Sequence, residues 1–168
     1  GLCACARRPR FGMSADLKVT LRAAGPDDAA AVMDVMLAAF DPRYGEAWTQ
    51  AQLMTLFAVP GTRLAMALCD GAAVGFYAAR LAGPESELLL LGVVPAFRRQ
   101  RIGQLLLSDW LTWARAHGAA DYFLEMRADN DARALYVHAG FVQCGLRRDY
   151  YHGLDGKNRD AVTMRLPA

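Results

Sequence analysis

The sequence predicts one α/β domain in which helices flank a central mixed β-sheet. Three observations predict it. β-type runs and amphipathic segments follow one another in the order strand, two helices, three strands, helix, strand, helix, two strands. The run from Glu87 to Val94 is apolar enough to be a strand buried on both faces. The chain has 168 residues, 54% of them hydrophobic and 21% charged, which suits one domain with a substantial core.

The N-terminal part predicts a strand and a helical hairpin. Lys18 to Arg22 alternates as a strand does. Pro26 to Asp28 supplies first-turn carboxylates for a helix that ends at Pro42, and Thr49-x-x-Gln52 is a capping box for a second helix that ends at Pro60-Gly61. Apolar residues at helical spacing mark the two helices: Val32, Met36 and Phe40 in the first, and Leu53, Leu56 and Phe57 in the second.

Three strands are predicted next. Arg63 to Cys69 and Ala72 to Leu81 are β-type runs joined at Asp70-Gly71, a dipeptide typical of a tight hairpin. Gly83-Pro84 forms another turn before the apolar strand Glu87 to Val94.

The C-terminal half predicts a helix, a strand, a short helix and a strand pair. Asp121 to Arg127 is typical of a strand, and Asp131 to Ala139 of a short helix. Val142 to Tyr150 and Ala161 to Leu166 form the final pair around Asp155-Gly156. The helix before them carries one apolar face, made of Leu106, Leu107, Trp110, Leu111 and Ala114.

Composition argues against several classes of function. A formal net charge of +2 is too small to indicate nucleic-acid binding by itself, because such binders carry dense basic faces. The longest apolar run, Leu88 to Val94, is far shorter than the roughly 18 to 20 residues that span a bilayer, so we expect no membrane insertion. Cys3, Cys5, Cys69 and Cys144 show no C-x-x-C spacing and no nearby histidines, so we expect no metal and a reducing, cytoplasmic location.

The first dozen residues are set apart from the domain. Arg7, Arg8 and Arg10 precede Met13-Ser14, which resembles a natural start, and the apolar stretch before them is too short for a signal peptide. We therefore expect residues 1–12 to be an N-terminal extension or an added arm, and residues 13–168 to form a single domain.

A cationic loop between a strand and a helix is the most informative local pattern. The apolar strand ends near Val93, and the next helix opens directly from the segment Arg98-Arg99-Gln100-Arg101. Unpaired N–H groups of a helix start then converge with positive side chains, which predicts an anion-binding cradle. Alternatively, the arginines only cap the start of a surface helix and keep it in contact with water.

This loop resembles the pyrophosphate-binding motif of the GNAT superfamily of acyl-CoA-dependent N-acetyltransferases, Q/R-x-x-G-x-G/A. Arg98 stands at its first position and Gly103 at its last, while Arg101 replaces the middle glycine. The element order is that of the GNAT fold. Five further segments resemble the ribosomal-protein-alanine N-acetyltransferase branch: Leu124 to Asn130, Ala134 to Tyr136, Gly140-Phe141, Arg147 to Tyr151, and Asp160 to Pro167.

The resemblance implies an enzyme that moves acetyl from acetyl-CoA to an amine, most closely the N-terminal α-amine of a ribosomal protein. In that branch Glu125 corresponds to the proton acceptor and Tyr136 to the proton donor for the leaving thiolate, although the spacing from Asn130 to Tyr136 is one residue shorter here. Alternatively, Glu125 pairs with Arg127 or another arginine, and Tyr136 only packs its ring on the core.

For acetyl-CoA, the chain offers a strand edge and the loop. An irregular or bulged edge at Leu91, Gly92 and Val93 is expected to pair with the pantetheine amides, with Gly92 easing the approach. Arg101 is expected to need a backbone without positive φ. Asn130 either binds the cofactor or only caps the next helix. The residues assigned to the pyrophosphate are Arg98, Arg99, Gln100, Arg101, Ile102, Gly103 and Gln104.

An acceptor groove is expected between the helical hairpin and the final strand pair. Its aromatic candidates are Phe40, Tyr44, Trp48, Tyr150 and Tyr151, with core packing as the alternative for each. Rival functions are acetylation of a small amine or a lysine side chain, a non-catalytic acyl-CoA sensor, and a nucleic-acid module. The sequence leaves the physiological acceptor open, together with the choice between monomer and dimer.

Overall fold

The computed structural model describes residues 18–167, so the arm expected at residues 1–12 lies outside the described residues. The strands form one mixed sheet in the order β1-β2-β3-β4-β5-β7-β6, with helices packed on it, which confirms the predicted fold class. The strands are β1 (Val19–Ala23), β2 (Thr62–Cys69), β3 (Ala72–Ala82), β4 (Glu85–Val93), β5 (Asp121–Arg127), β6 (Val142–His152) and β7 (Asn158–Leu166). The α-helices are α1 (Ala29–Ala39), α2 (Gln50–Ala58), α3 (Ile102–Ala116) and α4 (Arg133–His138).

Strands β4 and β5 are parallel neighbours that separate partway along their length. They pair only from Glu85 to Leu88 on β4, opposite Asp121 to Leu124 on β5. β4 then continues to Val93 and β5 to Arg127 without pairing to each other. The sheet therefore opens into a gap between the C-terminal halves of its two central strands.

The irregular position of β4 lies at Leu89, before the stretch where the sequence suggested it. The register with β3 passes from Ala78 opposite Leu90 to Ala79 opposite Leu88, so Leu89 is the extra residue. Leu91 to Val93 pairs regularly with β3, which corrects the expectation of a bulge there. Because a bulge bends and twists its strand, this position turns β4 away from β5 where the gap begins.

Two apolar layers cover the sheet. One face carries α3, whose Leu106, Trp110 and Ala114 are fully buried; the other carries α1 and α2, where Met36 and Leu53 are fully buried. Both helices of the predicted hairpin therefore share one core. No helix in residues 18–167 is long and apolar enough to cross a membrane.

Helix α3 is fixed so that its first turn faces the gap. The indole Nε1–H of Trp110 donates to Ser86 Oγ at 3.0 Å, and that hydroxyl donates to the Arg80 carbonyl oxygen at 2.9 Å. Ser86 is fully buried in β4, so this chain of hydrogen bonds anchors the helix to the closed end of the gap.

Helix α4 begins at Arg133, two residues later than the sequence suggested. The Asn130 side-chain oxygen accepts a hydrogen bond from the Ala132 N–H at 2.9 Å, and the Asn130 carbonyl oxygen accepts one from the Arg133 N–H at 3.1 Å. The Ala132 and Arg133 N–H groups are therefore bonded to Asn130 in a turn, and the helix begins only at the end of this turn.

Candidate active site

Two cavities meet in the gap between β4 and β5. The loop cavity, of about 990 Å³, lies beside the segment from Phe97 to Gln104; the aromatic cavity, of about 530 Å³, lies beside β5 and the end of β6. Residues that line both cavities mark their junction. They are Phe40, Glu46, Leu91, Asn130 and Tyr136.

The start of α3 contains the free N–H groups on which the predicted cradle depends, with an unexpected backbone conformation before them. Arg99 and Arg101 have φ values of 62° and 64°, so the expectation that Arg101 avoids positive φ was wrong. The first hydrogen bond of the helix joins the Leu105 N–H to the Arg101 carbonyl oxygen at 3.1 Å. The N–H groups of Ile102, Gly103 and Gln104 therefore precede the helical ladder, beside the loop cavity that these residues line.

Arg98 uses its side chain differently from its two neighbours. Its guanidinium donates to the Ala39 carbonyl oxygen at 2.7 Å and to the Val93 carbonyl oxygen at 3.2 Å, so it joins the loop to the C-terminal end of α1. Arg98, Arg99 and Arg101 all line the loop cavity, whereas Gln100 lies outside its lining.

The edge of β4 forms the second wall of the loop cavity. Leu91, Gly92 and Val93 line it, and they lie past the last residue of β4 that pairs with β5. A Cβ on Gly92 would stand 3.1 Å from Ala39 Cβ and 3.2 Å from the Phe76 ring. The glycine thus suits the close packing of α1 on the sheet, a reason that differs from the one suggested by the sequence.

Glu125 is the first residue of β5 beyond the paired stretch, and it lines the aromatic cavity. Its Oε1 is buried and accepts no hydrogen bond within residues 18–167. The Nε of Arg147 lies 3.2 Å away, near enough for an ion pair but poorly aligned for a hydrogen bond. Burial raises the pKa of the Glu125 carboxyl, Arg147 lowers it, and Glu87 raises it. The site thus contains a partly desolvated carboxylate with a free lone pair.

Tyr136 lies on α4 at the junction of the two cavities, and only 6% of its surface is exposed. Its ring meets Phe141 edge to face, with the centroids 6.1 Å apart. Burial, followed by the charge of Glu46, raises the pKa of Tyr136 far above that of an ordinary phenol. The hydroxyl therefore keeps its proton at neutral pH. Asn130 accepts a hydrogen bond in the turn before α4, and it also lines both cavities at this junction.

Four of the five aromatic candidates surround the aromatic cavity: Phe40, Trp48, Tyr150 and Tyr151. Tyr44 lies on the wall of the loop cavity instead, under the guanidinium of Arg127, whose Cζ is 3.5 Å from the ring centroid. Burial, with added effects from Glu46 and Glu125, raises the pKa of Tyr151, so this phenol also stays neutral.

Glu46 and Arg127 also belong to the site, although the sequence did not mark either as a site residue. Arg127 Nη1 donates to Glu46 Oε1, and the two side chains are 8% and 12% exposed. They are 81 residues apart in the chain, in segments with no shared motif, so no local pattern connects them. Within residues 18–167, no group of three or more His, Cys, Asp or Glu side chains is placed to hold a metal ion.

Comparisons with known proteins agree with this arrangement. Residues 29–141, more than half of the chain, match the acetyltransferase (GNAT) family. The ribosomal protein bS18-alanine N-acetyltransferase of Escherichia coli K12 is 35% identical over 99 residues, a match that covers 58% of this chain and 66% of that protein, just under two thirds. The N-alpha-acetyltransferase RimI of Mycobacterium tuberculosis is 38% identical over 123 residues, covering 70% of this chain and 74% of that protein.

Solved structures show the same fold. The crystal structure of the ribosomal-protein-S18-alanine N-acetyltransferase from Escherichia coli superposes with a TM-score of 0.81 at 26% identity, covering 89% of this chain and 94% of that one. The resemblance inferred from the loop and the C-terminal segments is therefore confirmed.

Proposed function

The chain belongs to the acetyltransferase (GNAT) family, and we propose that it acetylates the α-amine of a protein N-terminus, with acetyl-CoA as the acetyl donor. One observation carries this proposal: a partly buried carboxylate, whose Oε1 accepts no hydrogen bond from the described residues, and a protonated phenol line cavities that meet beside the N–H groups at the start of α3. The names of two relatives support an N-terminal alanine of a ribosomal protein as the acceptor.

The residues beside the loop cavity suit acetyl-CoA. The N–H groups of Ile102 to Gln104 and the polarity of α3 favour a diphosphate, and Arg99 and Arg101 add positive charge. Leu91 to Val93 lack a neighbour on the β5 side, so their backbone groups suit the amides of a pantetheine arm. Acetyl-CoA supplies the acyl thioester, and its sulfur departs as the leaving group.

Glu125 is the proposed proton acceptor. A peptide α-amine titrates near 8, so about a tenth of it is already neutral at pH 7. A weak base is therefore sufficient to remove the remaining proton during the reaction. Oε1 of Glu125 accepts the proton that the amine nitrogen loses as its bond to the acetyl carbon forms, directly or through water. The pKa of Glu125 is raised, so it lies closer to the working pH than the pKa of an exposed glutamate does.

Tyr136 is the proposed donor to the departing sulfur. Its phenol remains protonated because burial disfavours the phenolate. A hydrogen bond from this hydroxyl stabilises the developing thiolate, whose ordinary pKa is about 8.5. Its place at the junction, in the lining of both cavities, makes Tyr136 suited to this role.

A peptide assay tests the proposed function. Purified protein with acetyl-CoA and a peptide starting in alanine should release thiol, and mass spectrometry should place one acetyl group on the α-nitrogen. The matched control is the same peptide with a blocked α-amine and a free lysine. Turnover only on the lysine, or only in a panel of small amines, would replace the α-amine assignment. Tight CoA binding without turnover on any amine would indicate a sensor.

A further inference from the structure

Arg127 is a buried cation two residues beyond Glu125 on β5. Since residues i and i+2 of a strand share a face, it lies on the same side of the sheet as Glu125. Only 7% of its surface is exposed, and buried arginines need partners that offset their lost hydration. The position of Arg127 and the positions of its partners therefore depend on each other.

Those groups come largely from one irregular segment, residues 41–49, which we call the acceptor segment. Arg127 Nη1 donates to Glu46, and its guanidinium lies 3.5 Å from the centroid of the Tyr44 ring. Its Nε donates to Asp129, just after β5. The guanidinium of Arg159 also lies over the Tyr44 ring, at 4.6 Å. A salt bridge and two cation–π contacts thus fix the middle of this segment.

The acceptor segment has few anchors in its own backbone. Its internal hydrogen bonds join the Tyr44 N–H to the Asp41 carbonyl oxygen and the Gly45 N–H to the Pro42 carbonyl oxygen, which makes one short turn. The segment packs tightly on the end of β6, since a Cβ on Gly45 would stand 2.7 Å from the His152 carbonyl oxygen. Its C-terminal end is held separately, because the Trp48 N–H donates to Met36 Sδ at 3.3 Å and the Thr49 N–H donates to Gln52 Oε1 at 2.8 Å. The contacts to Arg127 hold its middle.

This segment shapes the aromatic cavity. Glu46 and Trp48 line that cavity from one side, while Tyr150 and Tyr151 line it from another. A buried ion pair gives little net stability, but it specifies one arrangement strongly because each charge is costly without the other. Resting on the function proposed above, we infer that Arg127 is a positioning residue for acetyl transfer: through Glu46 and Tyr44 it holds the acceptor segment where an acceptor amine can reach Glu125.

Kinetics of four variants and one control variant test this role. Arg127→Gln and Glu46→Gln should each raise the KM for the acceptor peptide at least tenfold, with a smaller change in kcat and in the Kd for CoA. The acceptor KM of the double variant should be no higher than that of the more impaired single variant, because both substitutions remove the same contact. Arg127→Lys should rescue little, since an ammonium lacks the planar fork that pairs and stacks. Arg22→Gln, which removes the ion pair with Asp28, is the control, because neither residue lines either cavity.

Hydrogen exchange provides a readout that does not depend on activity. In Arg127→Gln and Glu46→Gln, amides of the acceptor segment should exchange at least tenfold faster than in the wild type, while those of α3 keep their protection. Unchanged exchange, or a double variant whose losses simply add, would overturn the positioning role. A wild type that exchanges as expected but acetylates no amine would reject the proposed function and leave the structural role of Arg127 standing.

Discussion

The two walls of the active-site gap are built in different ways. The largest contribution to the loop cavity comes from one continuous stretch, residues 91–104, whose donors are main-chain N–H groups; residues 39–46 and 127–136 complete it. The aromatic cavity draws on four distant stretches, residues 40–52, 87–91, 124–136 and 150–152, and its chemistry depends on side chains. We therefore expect the first wall to tolerate side-chain substitution and the second to be sensitive to single changes.

Glu125→Gln should have the largest effect, because it removes the only proposed base. Loss of general-base catalysis typically costs about 10² to 10⁴ in rate, so kcat/KM for the peptide should fall by that factor. The Kd for CoA, measured by calorimetry, should stay within about threefold of the wild type. Glu85→Gln, at the exposed start of β4, is the matched control and should keep full activity. A fall of less than about fivefold in Glu125→Gln would exclude Glu125 as the base.

Tyr136→Phe should come second. It removes one hydroxyl and keeps the ring that packs on Phe141, so the fold should persist. A hydrogen bond to a charged group is worth about 1.5–3 kcal/mol, which predicts a kcat lower by roughly 10- to 100-fold at constant acceptor KM. Tyr122→Phe removes a buried hydroxyl that donates to the Ala119 carbonyl oxygen at 3.2 Å, so it should cost stability but no activity. Equal losses of activity in both variants would indicate a purely structural role.

The same contrast explains what the sequence could predict. The element order, the capping box at Thr49 and Gln52, and the free N–H groups at the start of α3 are local patterns, and the structure contains all three. The positive φ of Arg101 was missed because an arginine there carries no local mark of its conformation, whereas a glycine would. The bulge at Leu89 was misplaced because register depends on the neighbouring strand.

Contacts between distant stretches were the hardest to foresee. The partner of Glu125 is Arg147 on β6, while Arg127 pairs with Glu46 in the acceptor segment. Each pairing follows from strand order and from the packing of a loop on β6, which composition and periodicity do not encode. The place of Tyr44 on the wall of the loop cavity also depends on a distant contact, because its ring packs against the guanidinium of Arg127.

Arg147→Gln should change the pH dependence more than the maximal rate. Arg147 lowers the pKa of Glu125, so its removal should raise that pKa further. The carboxylate then takes up a proton at a higher pH as the solution is acidified, and the acid limb of the kcat/KM profile moves to higher pH. The limb set by the peptide α-amine, near pH 8, should not move. A shift to lower pH, or a profile identical to the wild type, would contradict an interaction between the two groups.

Arg101→Gly should have the smallest effect and a favourable sign. An L-residue in the left-handed region costs roughly 1–2 kcal/mol, and glycine removes this strain but gains entropy in the unfolded chain worth about 0.4–1 kcal/mol. Denaturant unfolding should therefore show a gain of about 0.5–1 kcal/mol. Arg148→Gly, at a position of β6 that has no positive φ, should instead lose stability, because glycine relieves no strain there.

The same Arg101→Gly variant also measures how far the cradle relies on its backbone. If main-chain N–H groups provide most of the grip on a diphosphate, loss of this guanidinium should weaken CoA binding by less than about tenfold, the worth of one partly exposed charge contact. The loss should grow at low salt, where unscreened charge counts more. A hundredfold loss would show that the loop wall depends on single side chains as strongly as the aromatic wall does, and the difference between the two walls would disappear.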